Sequence, residues 1–228
     1  MDSIWRDYHD EILLLQPLFL AGIKRGGRAL DVGSGDGSSL RLMDRLGSRS
    51  VGLDTNPSGG VVVRGTATDI PFKDGSFELV VCLRTLQHVH DDERAVREIR
   101  RVLRPGGRLV LAVANKRSFT MVALKSRGDW RGRERIPYEW FKPYLEEEVR
   151  MLLERQGFNI VECGTVGYAP EILRRRIPPF SRFALRLLRR LDDILRRVPV
   201  LGNRGSHVRV VAVLPMPTSG SPSSEKRA

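Results

Sequence analysis

The sequence predicts a doubly wound α/β fold around a mostly parallel, seven-stranded sheet, with helical insertions after the fifth and sixth strands. Three observations predict it. Short apolar runs alternate with segments of helical period along residues 28–114. The runs are apolar at consecutive positions, as in FELVVCL at 77–83, the pattern of strands covered on both faces. A glycine turn, Gly33, Gly35 and Gly37, joins the first run to the first helical segment. Glycine tolerates positive φ and carries no Cβ, so a ligand can lie directly on such a turn. The helix that follows adds unpaired N–H groups and partial positive charge.

The elements follow in order. Residues 1–27 form a helical lead: Trp5, Tyr8, Ile12 and Leu15 recur at helical spacing until Pro17 interrupts them. This lead either packs on the domain edge or covers the site as a lid. The domain proper spans 28–214. Strand 28–32 leads through the glycine turn to helix 38–46. Strand 50–54 ends in a Pro/Gly turn, and strand 61–65 in a polar loop. Strand 77–83 precedes helix 91–103, which starts on acidic residues and turns Ala95, Ile99, Val102 and Leu103 to one face. RPGG at 104–107 reads as a stop before strand 108–114. Residues 115–143 lose the rhythm; they are basic and aromatic and form a first insertion. Helix 144–156 points Leu145, Val149, Leu152 and Leu153 inward, and Gly157 ends it before strand 158–164. A second insertion at 170–206 precedes the closing strand 208–214. Residues 215–228 are Pro/Ser-rich and predict a disordered tail.

Composition narrows the class. A chain of 228 residues, 41% hydrophobic, supports one substantial domain. No apolar run approaches the roughly 20 residues of a membrane span. The N-terminus, MDSIWRDYHDE, is acidic and polar, unlike a signal peptide. Cys82 and Cys163 sit in separate apolar runs with no metal-type pairing, so they read as buried thiols in a reducing cytoplasm. The net charge is +12, and residues 171–206 hold ten arginines against three acids, which places +7 of it there. Such a balance permits nucleic acid, acidic lipid or an anionic substrate and selects none of them.

The chemistry lies at the strand ends, because open parallel sheets bind ligands beyond their carboxyl edges at the switch point. Asp31 precedes the glycine turn, Asp54 ends strand two, and Asp69 with Ile70 follows strand three. Asp54 suits a ribose, whose two vicinal hydroxyls both donate to one carboxylate. Asp69 suits the exocyclic amine of adenine, with Ile70 packing on the ring. Asp31 welcomes a cationic amino-acid moiety and repels a pyrophosphate. A nicotinamide dinucleotide therefore loses ground, and its third glycine is here Ser38.

At these residues the chain resembles the class I S-adenosylmethionine-dependent methyltransferases, in particular the small-molecule group of the ubiquinone/menaquinone-biosynthesis type. LDVGSGDG is similar to their first motif, and VGLDTN carries their ribose acid. ATDIPFKDGSFELVVCLRTLQHV is similar to their strand three to strand four signature, and REIRRVLRPGGRLVLAVAN to their following helix and strand. The resemblance spans about 28–165 and returns at 208–214. It implies a Rossmann-like fold and S-adenosyl-L-methionine as cofactor. It also implies roles by position. Asp31 holds the methionine amine, directly or through water. Gly33, Ser34 and Gly35 line the methionine and ribose. Asp54 takes the ribose hydroxyls, and Asp69 and Ile70 take adenine. The Leu83 carbonyl accepts from the ammonium. The chain departs from the family at Gln87, where Glu or His is frequent, and at Arg84, where small residues are. Arg84 faces either a substrate anion or solvent, and solvent is preferred.

The implied activity is methyl transfer to a small-molecule or lipid-like acceptor; the alternative is a cofactor-binding partner or regulatory protein without turnover. His88 is the candidate base or substrate contact by position, with a surface or capping role as the bland alternative; His90 is the weaker one. Tyr138 and Trp140 line an acceptor pocket or simply pack the insertion. IPPF at 177–180 lacks the opening Asp, Asn or Ser of the base-amino methyltransferases and follows strand six rather than strand four, so nucleic acid is disfavoured as a substrate. Residues 180–198 spell a basic amphipathic helix. Its apolar face docks over the active site or meets an anionic membrane surface, the latter suiting a lipid or quinone acceptor. RNA contact ranks third.

Overall fold

The computed structural model describes residues 22, 24–57, 61–119, 121–122, 140–168, 190, 194, 197–198 and 202–217. The lead at 1–21, Tyr138, nearly all of 180–198 and the tail beyond 217 lie outside the described residues. Seven strands form one sheet: β1 (Arg28–Val32), β2 (Arg49–Asp54), β3 (Val62–Arg64), β4 (Phe77–Leu83), β5 (Leu103–Ala114), β6 (Asn159–Val166) and β7 (His207–Val213). Their order is β3-β2-β1-β4-β5-β7-β6. The first five pair in parallel, and β7 runs antiparallel between β5 and β6. The mostly parallel seven-stranded expectation holds.

Alternation along the strands builds two cores, because successive side chains leave a strand on opposite faces. Leu30, Val32, Val80 and Cys82 join the larger core, while Ala29, Leu79 and Val81 join the smaller. Helix α1 (Ser38–Arg45) covers the smaller with Leu40 and Met43. Helices α2 (Asp92–Val102) and α3 (Glu146–Arg155) cover the larger with Ala95, Val96, Ile99, Val149 and Leu153. Asp91 caps α2 as its carboxylate accepts the Arg94 N–H at 2.9 Å, satisfying one of the end's orphan donors.

The structure moves two predicted boundaries. RPGG does not separate α2 from β5. The strand starts at Leu103, pairs there with Phe77, and shifts register before Leu79 meets Arg108. Gly106, at φ 74°, lets the chain bulge inside the strand, and its N–H donates to the Leu214 carbonyl at 2.7 Å. Helix α3 starts at Glu146 rather than 144 because Tyr144 is taken by the sheet. Its N–H donates to the Ala114 carbonyl and its carbonyl accepts from Lys116, both at 2.8 Å.

The order of strands puts the switch point between β1 and β4, so the carboxyl ends of β1, β2 and β4 meet there.

Candidate functional site

The glycine turn after β1 is fastened to the end of β2. The N–H groups of Gly33 and Ser34 both donate to the Leu53 carbonyl, at 2.7 and 3.2 Å. Gly33 sits at φ 77°, and a Cβ there would lie 2.0 Å from the Thr85 hydroxyl oxygen, so only glycine fits against the chain leaving β4. Gly35 sits at φ 50° and faces the other way: a Cβ on it would meet nothing within 4 Å. The turn therefore packs tightly at Gly33 and leaves room where a Gly35 side chain would stand.

Asp54 ends β2 half-buried beside this opening. Its two carboxylate oxygens accept the N–H groups of Gly35 and Asn56, each at 2.8 Å. Each oxygen keeps lone-pair capacity for a further donor. Asp31 lies on β1, 2% exposed. Burial, together with the nearby Asp54 charge, pushes its carboxyl up to about 7, with Ser39 partly offsetting the rise. Its Oδ2, and the hydroxyl of Ser34, are buried and have no hydrogen-bond partner among the described residues. Buried polar atoms are rarely left so. A ligand that brings a cation or a donor to either atom meets that demand.

The other predicted cofactor residues divide. Asp69 is exposed beyond β3, its N–H donating to the Thr66 carbonyl at 3.2 Å. Ile70 turns inward, 2% exposed within the larger core, with its N–H given to Glu98. It has little surface to offer a ring. The Leu83 carbonyl, at the end of β4, accepts the Thr85 hydroxyl at 3.1 Å. Arg84 is exposed, as preferred, and is the only non-glycine residue at positive φ (56°) among the described residues.

The loop after β4 meets residues 140–144 across a set of satisfied bonds. The Gln87 side-chain carbonyl accepts the Ala114 N–H at 2.6 Å, which turns the amide nitrogen toward His88 Nε2, 3.3 Å away. His88 Nε2 then accepts, and Nδ1–H donates to the Trp140 carbonyl at 3.3 Å. Burial lowers the His88 pKa; the Trp140 carbonyl opposes this and the Arg84 charge adds to it. The Trp140 ring packs on His90 at 4.6 Å between centroids and stays 41% exposed. Asp92 accepts from Lys142 Nζ at 2.7 Å and from the Tyr144 hydroxyl at 2.8 Å. Burial alone would raise the Asp92 carboxyl, but these two donors hold it below the usual carboxylate range. The placement brings His88 and Trp140 together, and puts the cofactor acids at the neighbouring strand ends.

Sequence reading missed Thr85, Gln87 and Asp92 as organisers of this edge. A small polar residue two positions past a buried strand was the available signal for Thr85. Asp92 looked like an ordinary acidic helix start.

The methyltransferase-domain family model matches residues 30–111. A protein of Encephalitozoon cuniculi named as a methyltransferase is 32% identical over 151 residues, covering 60% of this chain and 72% of the relative. The chain belongs to the class I S-adenosylmethionine-dependent methyltransferases. The demethylmenaquinone methyltransferase of Tropheryma whipplei is 25% identical over 184 residues, covering 69% and 77% of the two chains. Among solved structures, an S-adenosylmethionine-dependent methyltransferase of Thermotoga maritima matches with a TM-score of 0.63 at 19% identity, covering 93% and 94%. S-adenosylmethionine is thus the cofactor of this methyltransferase. The glycine turn and the two buried oxygens without partners among the described residues suit it: it carries an ammonium, two ribose hydroxyls and an adenine amine, and no pyrophosphate.

Proposed function

We propose that this methyltransferase moves the methyl group of S-adenosyl-L-methionine to a small-molecule or lipid-like acceptor by in-line displacement. The observation that carries the reading is the buried Asp31 oxygen, without a hydrogen-bond partner among the described residues, on the strand that leads into the glycine turn. In this reading Asp31 and the Leu83 carbonyl hold the ammonium, and Ser34 hydrogen-bonds the methionine part. Gly33 and Gly35 let the cofactor lie on the turn. Asp54 accepts from the ribose hydroxyls, and Asp69 from the adenine amine. When bound, the cofactor supplies an already activated methyl sulfonium. The protein's own contribution is then orientation, which can lower a barrier by roughly 7–11 kcal/mol. His88 and Trp140 enter as a wall on the acceptor side. A base role for His88 is not favoured, because its ring nitrogens are held by Gln87 and the Trp140 carbonyl.

The Tropheryma whipplei relative is named for demethylmenaquinone, which supports a quinone-type acceptor here. A lipid-like acceptor also fits peripheral attachment of the basic, amphipathic sequence at 180–198 to anionic membrane. No described helix is long and apolar enough to cross a membrane. The test is incubation with radiolabelled S-adenosylmethionine and a cell extract, followed by identification of the labelled product. Label in an organic-phase quinone-type product is expected; label confined to protein or nucleic acid would sink the acceptor class. Retention by anionic liposomes, weakened by salt, is the parallel expectation for 180–198. Equal recovery with and without liposomes would remove it.

A further inference from the structure

Helix α2 carries Glu98 and Arg101 three residues apart, which in sequence is an ordinary surface ion pair. Exposed pairs of that kind contribute little. Here both side chains leave the surface: Arg101 is 32% exposed and Glu98 19%. Arg101 Nη2 donates to the Ile70 carbonyl at 2.7 Å, and Nη1 to the Phe72 carbonyl at 2.8 Å and to Asp74 at 2.7 Å. Its Nε and Nη2 also donate to the two Glu98 oxygens, both at 2.8 Å. Glu98 in turn accepts the Ile70 N–H at 2.9 Å. Hydrogen bonds from Arg101 hold the Glu98 carboxyl below its ordinary range against the opposing effect of burial.

The Ile70 N–H belongs to the peptide that leaves Asp69, so Glu98 fixes the plane of that peptide. The Asp69 N–H is fixed from the other side by the Thr66 carbonyl. Asp69 is thereby an exposed acid on a backbone held at both neighbouring peptides, within a short loop that forms a single bridge from Thr66 to Asp69. A planar guanidinium is needed for this: it reaches three acceptors on the loop and keeps its own carboxylate partner, which a lysine ammonium cannot do in one geometry.

We propose that Glu98 and Arg101 are positioning residues that aim Asp69 at the adenine amine and so set the selectivity of the cofactor site for adenine. The proposal rests on the reading of Asp69 as the adenine acid. The probe is a pair of ligands, S-adenosylmethionine and its deaminated counterpart, in which the exocyclic amine is replaced by a carbonyl oxygen. Calorimetric affinities for both are compared in the full chain, in Arg101→Lys, in Glu98→Gln and in Asp69→Ala.

The unaltered protein should prefer the amine, and Arg101→Lys should shrink that preference about tenfold, the scale of one lost charge-assisted hydrogen bond. Glu98→Gln keeps an acceptor for Ile70 and should shrink it less. Adding Arg101→Lys to Asp69→Ala should change the ratio no further, since both act through one group. A preference that survives Arg101→Lys while both affinities fall together would overturn the latch and leave a general stability role. If Arg101→Lys does not fold, Glu98→Gln decides in the same way. A preference that survives Asp69→Ala overturns the adenine-acid reading itself, and the latch proposal with it.

Discussion

The two halves of the carboxyl edge are built on opposite principles. On the β1–β2 side, buried oxygens of Asp31 and Ser34 stand without partners among the described residues, and a Cβ on Gly35 would meet nothing within 4 Å. On the β4 side, Gln87, His88, Asp92 and Tyr144 are engaged with one another and with residues 114 and 140–142. The first half stores an unmet demand for a ligand, because an unsatisfied buried acceptor is costly until something donates to it. The second half has met its own demand and behaves as a wall. Ligand specificity should therefore be sensitive to single atoms on one side and tolerant on the other.

The sharpest way to break this contrast is Asp54→Ala. Removing an acceptor for two ribose hydroxyls should weaken S-adenosylmethionine binding about a hundredfold, on the scale of hydrogen bonds to charged groups. The fold should survive, as the circular dichroism spectrum would show; unchanged calorimetric affinity contradicts the site.

A second effect, about tenfold per pH unit at most, comes from Asp31. Burial and the Asp54 charge push the Asp31 carboxyl up from the ordinary 3.8 to about 7. An ammonium beside it favours the ionised form, so below pH 7 binding must expel a proton and affinity should rise with pH until about 7. Calorimetry in buffers of different ionisation enthalpy counts that proton, and Asp31→Asn should abolish it. The same raised value makes the folded, ligand-free protein hold this proton more tightly than the unfolded chain. Its stability contribution is therefore present below 3.8 and lost as pH rises toward 7.

On the satisfied side, Asp92→Asn keeps an acceptor for Tyr144 but loses the charge facing Lys142. It should cost about 1 kcal/mol of stability in urea unfolding and leave cofactor affinity unchanged. A tenfold loss of affinity there would mean that the wall is part of the cofactor site. The smallest effect is expected at His88→Gln, with turnover on the identified acceptor altered by less than about tenfold. A loss on the order of 10²–10⁴ is what removal of a general base produces, and would restore His88 to that role.

Most of the sheet was legible because burial on both faces writes consecutive apolar residues, and β1 and β4 have the predicted bounds. RPGG was not legible as a bulge: the local signal for a stop and for a positive-φ kink is the same pair of glycines. The start of α3 was misplaced because Tyr144 suits a helix face and a bridge equally, and only the partner Asn115 decides. At the site, the carboxylates were visible one by one at the strand ends. The Asp31 burial and the ties from Gly35 to Asp54 were not, since they depend on how closely β1 and β2 bring the turns together. Glu98 and Arg101 were hidden for another reason: a helical pair spaced three apart looks solvated wherever the sequence cannot say what loop lies beside it.

The place of β7 has a consequence for the order in which the molecule is made. Among the described residues it is the last strand, yet β6 hydrogen-bonds to no other strand there, and β5 borders β6 only through it. During synthesis the first five strands can pair as they emerge, whereas β6 must wait for residues 207–213 to leave the ribosome. Until then two strand edges stand open, the condition under which chains pair with the wrong neighbour. Assembly of the β6 edge is therefore a late event, and the carboxyl edge that carries the cofactor acids can be in place before it.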